Sequence, residues 1–142
     1  MLRAEFPDAG TQSPTDLLAA YESLLTATID AAGVDAVAEQ TGLDRDVIEA
    51  MIGGDVADVT LTDAAAVLAT DSDRPDAGAI EAEARDILLM GMTTAVMDVE
   101  SLASGIDSEL DPKEIQQKIE GRHPVTLAEY ARLHQYIESQ KQ

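Results

Sequence analysis

Residues 43–61 read LDRDVIEAMIGGDVADVTL, and residues 110–127 read LDPKEIQQKIEGRHPVTL. Both stretches open with Leu-Asp, share two isoleucines and one glycine at matching positions, and close with Val-Thr-Leu. The offset between them is 67 at the start (110 − 43) and 66 at the end (125 − 59), so one residue is lost in between. Three further positions recur upstream at an offset of 65, namely Leu24, Val34 and Ala38 as Leu89, Val99 and Ala103. A repeat of about 65 residues predicts that one helical unit was copied and fused.

The composition fits a globular protein without disulfides. The chain has 142 residues, of which 45% are hydrophobic, and this is enough apolar material for a buried core. The absence of cysteine excludes disulfides, thiolate zinc sites and a cysteine nucleophile. The longest apolar run, from Ile87 to Met92, is too short to span a bilayer, and no signal-peptide pattern opens the sequence. We therefore expect a soluble, cytoplasmic protein that does not contact a membrane.

The charge is strongly negative and unevenly distributed. The net charge is −19, from nine basic and 28 acidic residues. Residues 1–110 carry four basic and 23 acidic side chains, whereas residues 111–142 carry five of each, so their net charge is zero. The acidity resembles that of proteins from salt-loving archaea, where molar salt shortens the screening length to about 3 Å and quenches repulsion. The alternative is an acidic surface that binds cations or imitates DNA.

Helix-start signals and apolar spacing divide the chain into two sets of four helices. N-cap residues are expected at Ser13, Asp44, Thr60, Asp111 and Thr126. No useful length of sequence alternates with period two, so the predicted fold is all-α, with two four-helix units related by pseudo-two-fold symmetry. The predicted organisation is a flexible arm (1–12), a first unit (13–70), a linker (71–78) and a second unit (79–142), with a long helix from about Ala79 to Met97.

The second and third helices of the first unit fit the template of a helix-turn-helix. This motif needs a small residue where the helices cross, a glycine at the bend and apolar residues on the inner face of its second helix. Those places are filled by Ala38, Gly42, Leu43, Ile48 and Met51. The pattern resembles the λ-repressor/Cro superfamily, and the composition and layout also resemble an uncharacterised haloarchaeal family. The first resemblance implies a DNA-contacting third helix in each unit.

The outward positions of the two third helices differ in chemistry. In the first unit they are mostly acidic, because Arg45 is surrounded by Asp44, Asp46 and Glu49 next to Ala50, and such a helix repels phosphate. The second unit instead offers donors for bases and phosphates. These candidate nucleic-acid-binding residues are Lys113, Gln116, Gln117, Lys118 and Arg122. The turn before them is two residues longer than in the first unit. Lys118 occupies the position that corresponds to Met51, which is expected to be buried in the first unit.

Two functions follow from these features. One is a helix-turn-helix transcription regulator adapted to high salt, which binds double-stranded DNA through the second unit. The other is a protein–protein interaction module, or a homodimer, on a diverged helix-turn-helix fold without DNA binding, in which the lysines form a solvated face. Whether Lys113, Gln117 and Arg122 share one open face or lie against the first unit discriminates between them.

No pattern predicts an enzyme, a metal site or a cofactor. His123 and His134 lie eleven residues apart and lack the usual ligand spacing. Asp71, Asp73 and Asp76 faintly resemble a calcium loop, but Pro75 occupies a ligand position. The sequence contains no P-loop and no nucleophile-elbow or zinc-protease motif. Met90, Met92 and Met97 are expected to fill gaps in the core.

Overall fold

The computed structural model describes Phe6, residues 8–106 and residues 108–141. The expected all-α fold is confirmed, since the described chain forms eight α-helices, no strand and one isolated bridge between Thr60 and Thr126. The helices are α1 Pro14–Ala32, α2 Val34–Thr41, α3 Arg45–Ile52, α4 Leu61–Leu68, α5 Ala77–Thr94, α6 Val99–Gly105, α7 Pro112–Ile119 and α8 Leu127–Ser139. Within the described ranges, no single helix is long and apolar enough to cross a membrane.

Side-chain caps start most of these helices where the sequence places them. The Ser13 hydroxyl accepts the Asp16 N–H at 3.0 Å, and the Asp111 carboxylate accepts the Glu114 N–H at 2.8 Å. Asp44 differs, because it occupies the N-cap position of α3 but its side chain makes no capping hydrogen bond. Helix α5 begins two residues before the expected Ala79 and ends at Thr94, three residues before Met97.

Two glycines that resemble one another in sequence have different structural roles. Gly42 follows α2 with a φ of 75°, so it makes the left-handed bend that the helix-turn-helix template requires. Gly105 is instead the last residue of α6, and a Cβ atom there would overlap the ring of Tyr136. The absence of a side chain at Gly105 therefore allows α6 to pack closely against Tyr136 of α8. The connection from α6 to α7 is also longer than the three-residue connection from α2 to α3.

The two halves pack across one another around one core. Helix α1 contacts α8, and α4 contacts α5, so the long helix of each half lies against the last helix of the other. One cluster of buried apolar side chains includes residues from all eight helices. Ile48 and Ile115 are both fully buried, as the repeat predicts.

A reciprocal pair of hydrogen bonds joins the halves at the start of α4 and α8. The Leu61 N–H donates to the Val125 carbonyl, and the Leu127 N–H donates to the Val59 carbonyl, both at 2.8 Å. Residues 59 and 61 are the positions that the sequence repeat matches to 125 and 127. The bends also agree, since α1 meets α2 at 100° and α5 meets α6 at 96°.

The burial pattern corrects the alignment of the long helices. Helix α1 buries positions 17, 21, 25, 28 and 29, and α5 buries 80, 84, 88, 91 and 92, together with 87. These five pairs share an offset of 63 (80 − 17), not 65. The expected pairing of Leu24 with Leu89 is therefore wrong, because Leu24 is half-buried whereas Leu89 is 43% exposed.

An aromatic cluster lies between α1 and α8. The Tyr21 hydroxyl lies 2.8 Å from His134 Nδ1, and the Tyr130 hydroxyl donates to the Ala84 carbonyl at 2.8 Å. Phe6 meets the Tyr21 ring edge-on at 4.8 Å. Burial lowers the pKa of His134 to about 3, so the imidazole is neutral and shares a hydrogen bond with the Tyr21 hydroxyl through Nδ1. His134 is thus a satisfied core residue.

Candidate interaction surfaces

Helix α7 presents part of the predicted nucleic-acid site to solvent. Ile115 and Ile119 are buried and anchor the helix, while Lys113 and Gln116 are exposed on its opposite side. Lys113 makes no side-chain ion pair or hydrogen bond within the described part of the chain. The two side chains can therefore reach a partner without breaking a contact to any of the described residues.

Lys118 occupies a different environment from its neighbours on α7. Its ammonium donates to both carboxylate oxygens of Glu129, at 2.8 and 3.0 Å, and to the Pro124 carbonyl at 3.1 Å. The side chain is 17% exposed. Since all three N–H donors have acceptors, Lys118 ties α7 to the start of α8. We therefore leave it out of the candidate contact residues.

The partner carboxylate, Glu129, also completes the cap of α8. Its Oε1 atom accepts the Thr126 N–H at 2.9 Å, and the Thr126 hydroxyl accepts the Glu129 N–H at 3.2 Å. Burial opposes ionisation of Glu129, but hydrogen bonds from Lys118 and Thr126 outweigh it and lower the pKa of this carboxyl. The lysine and the capping box thus form one connected network.

The two remaining candidate residues lie at the end of α7. Gln117 is half-buried, and its carbonyl accepts the N–H groups of Arg122 and His123 at 2.9 and 3.3 Å. Arg122 is 60% exposed and pairs with Glu120 at 2.5 Å. Lys113, Gln116 and Arg122 are thus all exposed, and Gln117 is partly accessible beside them. The acids Asp111, Glu114 and Glu120 are exposed on the same segment.

Helix α3 of the first half has no available cation. Arg45 bonds to Asp35 on α2 and to Glu49 at 3.0 Å. The hydrogen bond that Arg45 donates to Glu49 and the charge of Asp35 raise the pKa of Arg45 above its usual value. Because its guanidinium is shared between two carboxylates and Asp46 is exposed beside it, this face stays acidic, as expected from the sequence.

The outer side of α5 forms a second surface, which the sequence reasoning missed. Leu89, Met90 and Val96 are 43, 56 and 92% exposed, and the nearby Thr93 and Thr94 are exposed as well. We call these five residues the α5 face. The expectation that Met90 fills the core is wrong, whereas Met92 is buried. The available signal was the run from Ile87 to Met97, which contains no charged residue in a chain that is 26% charged.

The hydroxyl groups on this face are already bonded to the helix. Thr93 Oγ1 donates to the Leu89 carbonyl at 3.1 Å, and Thr94 Oγ1 donates to the Met90 carbonyl at 2.9 Å. With the hydroxyls turned toward the backbone, the threonine methyl groups contribute to the surface. The α5 face is therefore largely apolar in chemistry as well as uncharged.

The corresponding side of α1 carries a groove instead. At the offset of 63, Leu89 and Met90 match Thr26 and Ala27. A groove of about 370 Å³ lies between α1 and the segment that follows α4, and Ala27, Ala31 and Arg74 are among its lining residues. We call it the α1 groove. The Thr28 and Thr70 hydroxyls in its walls donate to the Leu24 and Val67 carbonyls at 2.9 and 2.7 Å.

Over the residues that the structure describes, no group of three or more histidine and acidic side chains could hold a metal ion. His134 is occupied by Tyr21, and His123 is exposed after α7.

The comparisons with known proteins give a family but no activity. No curated protein and no solved structure matches the chain significantly. The sequence model of a family of unknown function, DUF5791, matches residues 17–140, which include all eight helices except the first three residues of α1. The chain therefore belongs to the DUF5791 family.

Proposed function

We propose that this chain is a protein-interaction module built from two diverged helix-turn-helix-like units, and that it does not read DNA. The observation that carries the proposal is the α5 face. Contiguous exposed apolar residues on an otherwise charged surface mark sites of protein contact. Here they stand on a protein of net charge −19, where nearly every other exposed helix face carries acids.

The proposal of a duplicated unit is supported by four agreements between the halves. The order of one long and several shorter helices recurs, both bends are close to 100°, the buried positions match, and the bonds between 59–61 and 125–127 are reciprocal. Equivalent residues that exchange equivalent bonds are what a two-fold axis produces. We infer that this axis passes between Thr60 and Thr126.

Two basic side chains that could bind phosphate are already bonded to carboxylates of the protein, and this argues against DNA binding. Phosphate binding draws its free energy from lysine and arginine side chains that release counterions, so it needs several available cations. Lys118 is bonded to Glu129 and Arg45 to Asp35 and Glu49, so both are engaged within the fold. High salt would weaken the few contacts that remain.

Nucleic-acid binding through α7 is the second candidate function. It is favoured by the open side of α7, which is the arrangement expected for DNA binding: Lys113, Gln116 and Arg122 are exposed and Gln117 is partly accessible beside them. Lys113 has no ion pair among the described residues, whereas Arg122 is already paired with Glu120. In this case Lys113 and Arg122 would contact phosphates, and Gln116 and Gln117 would contact base edges. The proposed contacts exclude Lys118.

Site-specific photo-crosslinking in cells tests the two functions against each other. The photoreactive residue is placed at Thr93 on the α5 face, at Gln116 on α7, and at Asp46 on α3 as a matched helical control. We expect a protein adduct at position 93 only. A nucleic-acid adduct at position 116 with none at 93 would replace the proposal with the second candidate.

A further inference from the structure

Val96 is both strained and exposed at the end of the α5 face. Its φ of 54° is left-handed, a conformation that a β-branched residue adopts only at a cost in free energy, and its side chain is 92% exposed. At the offset of 63 the matching residue is Gly33, which has no side chain to strain. Val96 therefore adds strain to the fold and gains almost no burial in return. A strained residue that the fold does not use indicates a contact outside the fold.

The α5 face forms one straight stripe along its helix. Leu89, Met90, Thr93 and Thr94 recur at spacings of three to five residues, so they lie on one side of α5, and Val96 follows them beyond the helix end. Because α5 is helical, it offers no strand edge to an extended peptide. A straight apolar stripe of this kind fits the apolar side of a second helix.

Acidic side chains border the stripe at both ends. Asp86 is exposed one turn before the first of these residues, on the same side of α5, and makes no ion pair within the described part of the chain. Beyond the helix end, Asp98 and Glu100 are exposed at the start of α6. Lys113 lines the same shallow groove as these two acids, so two negative charges stand there beside one positive charge. The α5 face is thus apolar along its length and negative at its ends.

We propose that the α5 face binds an amphipathic helix of another protein, and that this helix carries lysine or arginine at both ends of its apolar side. The inference rests on the proposed interaction function and names the chemistry of the partner. Apolar contact with Leu89, Met90 and Val96 supplies affinity. Pairing of the basic side chains with Asp86 and Asp98 sets the register of the two helices and excludes partners with acidic ends.

The bordering acids select this partner over two other occupants of an apolar face. A second copy of this chain would bring Asp86 of one molecule toward Asp86 or Asp98 of the other, depending on the direction of the helices. Either arrangement adds repulsion between two chains of net charge −19. An anionic membrane surface attracts basic and not acidic borders. A helix with basic ends instead gains an ion pair at each end of the stripe.

Binding of synthetic helical peptides to the full chain tests the proposal. One peptide carries leucines on one side of the helix, bordered by lysines, and a second peptide has glutamates in place of the lysines. Fluorescence anisotropy measures both affinities in about 0.5 M potassium chloride, where pairs in direct contact are only partly screened. We expect the lysine peptide to bind about fivefold more tightly than the glutamate peptide.

Substitutions on the α5 face assign the binding to it. Met90→Ser and Val96→Gly should each weaken binding of the lysine peptide about fivefold, because each removes exposed apolar area. Since Val96→Gly also relieves backbone strain, its melting temperature should rise, so its loss of binding cannot come from unfolding. Asp86→Lys should remove the preference for the lysine peptide. The matched control, Asp46→Lys on α3, changes the net charge equally and should leave that preference intact.

Several outcomes would overturn the proposal. Equal effects of Asp86→Lys and Asp46→Lys would mean that the whole acidic surface attracts the peptide, and unchanged binding by Met90→Ser and Val96→Gly would place its site elsewhere. Equal binding of both peptides, or of neither, rejects a partner helix with basic ends. A crosslink from Thr93 to a protein segment without basic residues rejects the partner chemistry but keeps the proposed interaction function. The absence of any protein adduct at Thr93 rejects the interaction function itself.

Discussion

Helices α3 and α7 are aligned by the sequence repeat, but different contacts hold them in the fold. In α3, Met51 is fully buried in the core. At the matching position of α7, Lys118 reaches Glu129 and the Pro124 carbonyl. An apolar side chain such as Met51 can be buried wherever its shape fits, whereas a largely buried lysine requires an acceptor for each of its N–H donors. The difference shows that a charge can replace an apolar side chain here because Glu129 already stands at the cap of α8.

Lys118 also shows that the position of a lysine in the sequence does not establish that its ammonium is available to a partner. A lysine in the third helix suggests a phosphate contact when it is read from the sequence. Its carboxylate partner lies eleven residues away and is reached only because α8 folds back beside α7. The following predictions test how far the two halves differ, beginning with the largest expected effect.

Salt should change the stability of the whole fold more than any single substitution. Residues 13–70 contain 11 acids and one basic residue, net −10, whereas residues 79–142 contain 12 acids and six basic residues, net −6. Screening reduces repulsion in both halves, and most in the first. We expect the melting temperature to rise steeply between about 0.1 and 2 M potassium chloride. Hydrogen exchange should show that α1 to α4 lose protection first at low salt. Equal melting temperatures would contradict the halophilic interpretation.

Acid should destabilise the protein through His134, which the repeat aligns with Leu68 at an offset of 66. The pKa of His134 is lowered by burial to about 3, against an ordinary 6.5, so the unfolded chain binds a proton that the folded chain does not. Stability is therefore complete above pH 6.5 and is lost as the pH falls toward 3, by at most about 4–5 kcal/mol. Urea unfolding measured at several pH values between 6.5 and 3 should show this fall in the free energy of unfolding.

The His134→Leu variant is the control for that measurement. It places at position 134 the residue found at the aligned position 68, and it should flatten the pH dependence of the free energy of unfolding between pH 6.5 and 3. It also leaves the buried Tyr21 hydroxyl without its hydrogen-bond partner, which should cost about 1–3 kcal/mol at neutral pH. An unchanged slope in the variant would assign the acid sensitivity to other groups.

Replacing Met51 by lysine and Lys118 by methionine should lower the free energy of unfolding by very different amounts. Met51→Lys places a charge in the core of the first half, where the residue matching Glu129 is the shorter Asp63, and should cost about 3–5 kcal/mol. Lys118→Met makes the opposite change and should cost less, about 1–2 kcal/mol, because Glu129 is 21% exposed and keeps the hydrogen bond from the Thr126 N–H. Urea unfolding of both variants in the same salt measures this. Equal costs would mean that the two positions are not equivalent.

Much of the fold could be predicted from local signals. Caps such as Ser13 and Asp111, the bend at Gly42 and the burial of Ile48 and Ile115 depend on neighbouring residues and helical spacing. The surfaces were harder to predict because they depend on distant contacts. The pairing of Lys118 with Glu129 needs the packing of α7 on α8.

The α5 face was missed for a related reason. Met90 and Met92 look alike in sequence, and only the packing of α5 buries Met92 while Met90 stays exposed. The offset of 65 hid the correspondence between α1 and α5, since it paired the exposed Leu89 with the half-buried Leu24. The burial pattern at an offset of 63 restores the comparison and matches Gly33 with Val96.

The smallest predicted effect concerns this last pair. Gly33 ends α1 with a φ of 91°, and Val96 follows α5 with a φ of 54°, a left-handed conformation that disfavours a β-branched residue. Because Val96 is 92% exposed, Val96→Gly loses little burial and should stabilise the fold by about 0.5–1 kcal/mol. The reverse change, Gly33→Val, should destabilise by more than that, since a ψ of 142° beside that φ is accessible only to glycine. Thermal melts of both variants check the signs, and a destabilised Val96→Gly would mean that the valine methyl groups contribute more than the backbone conformation costs.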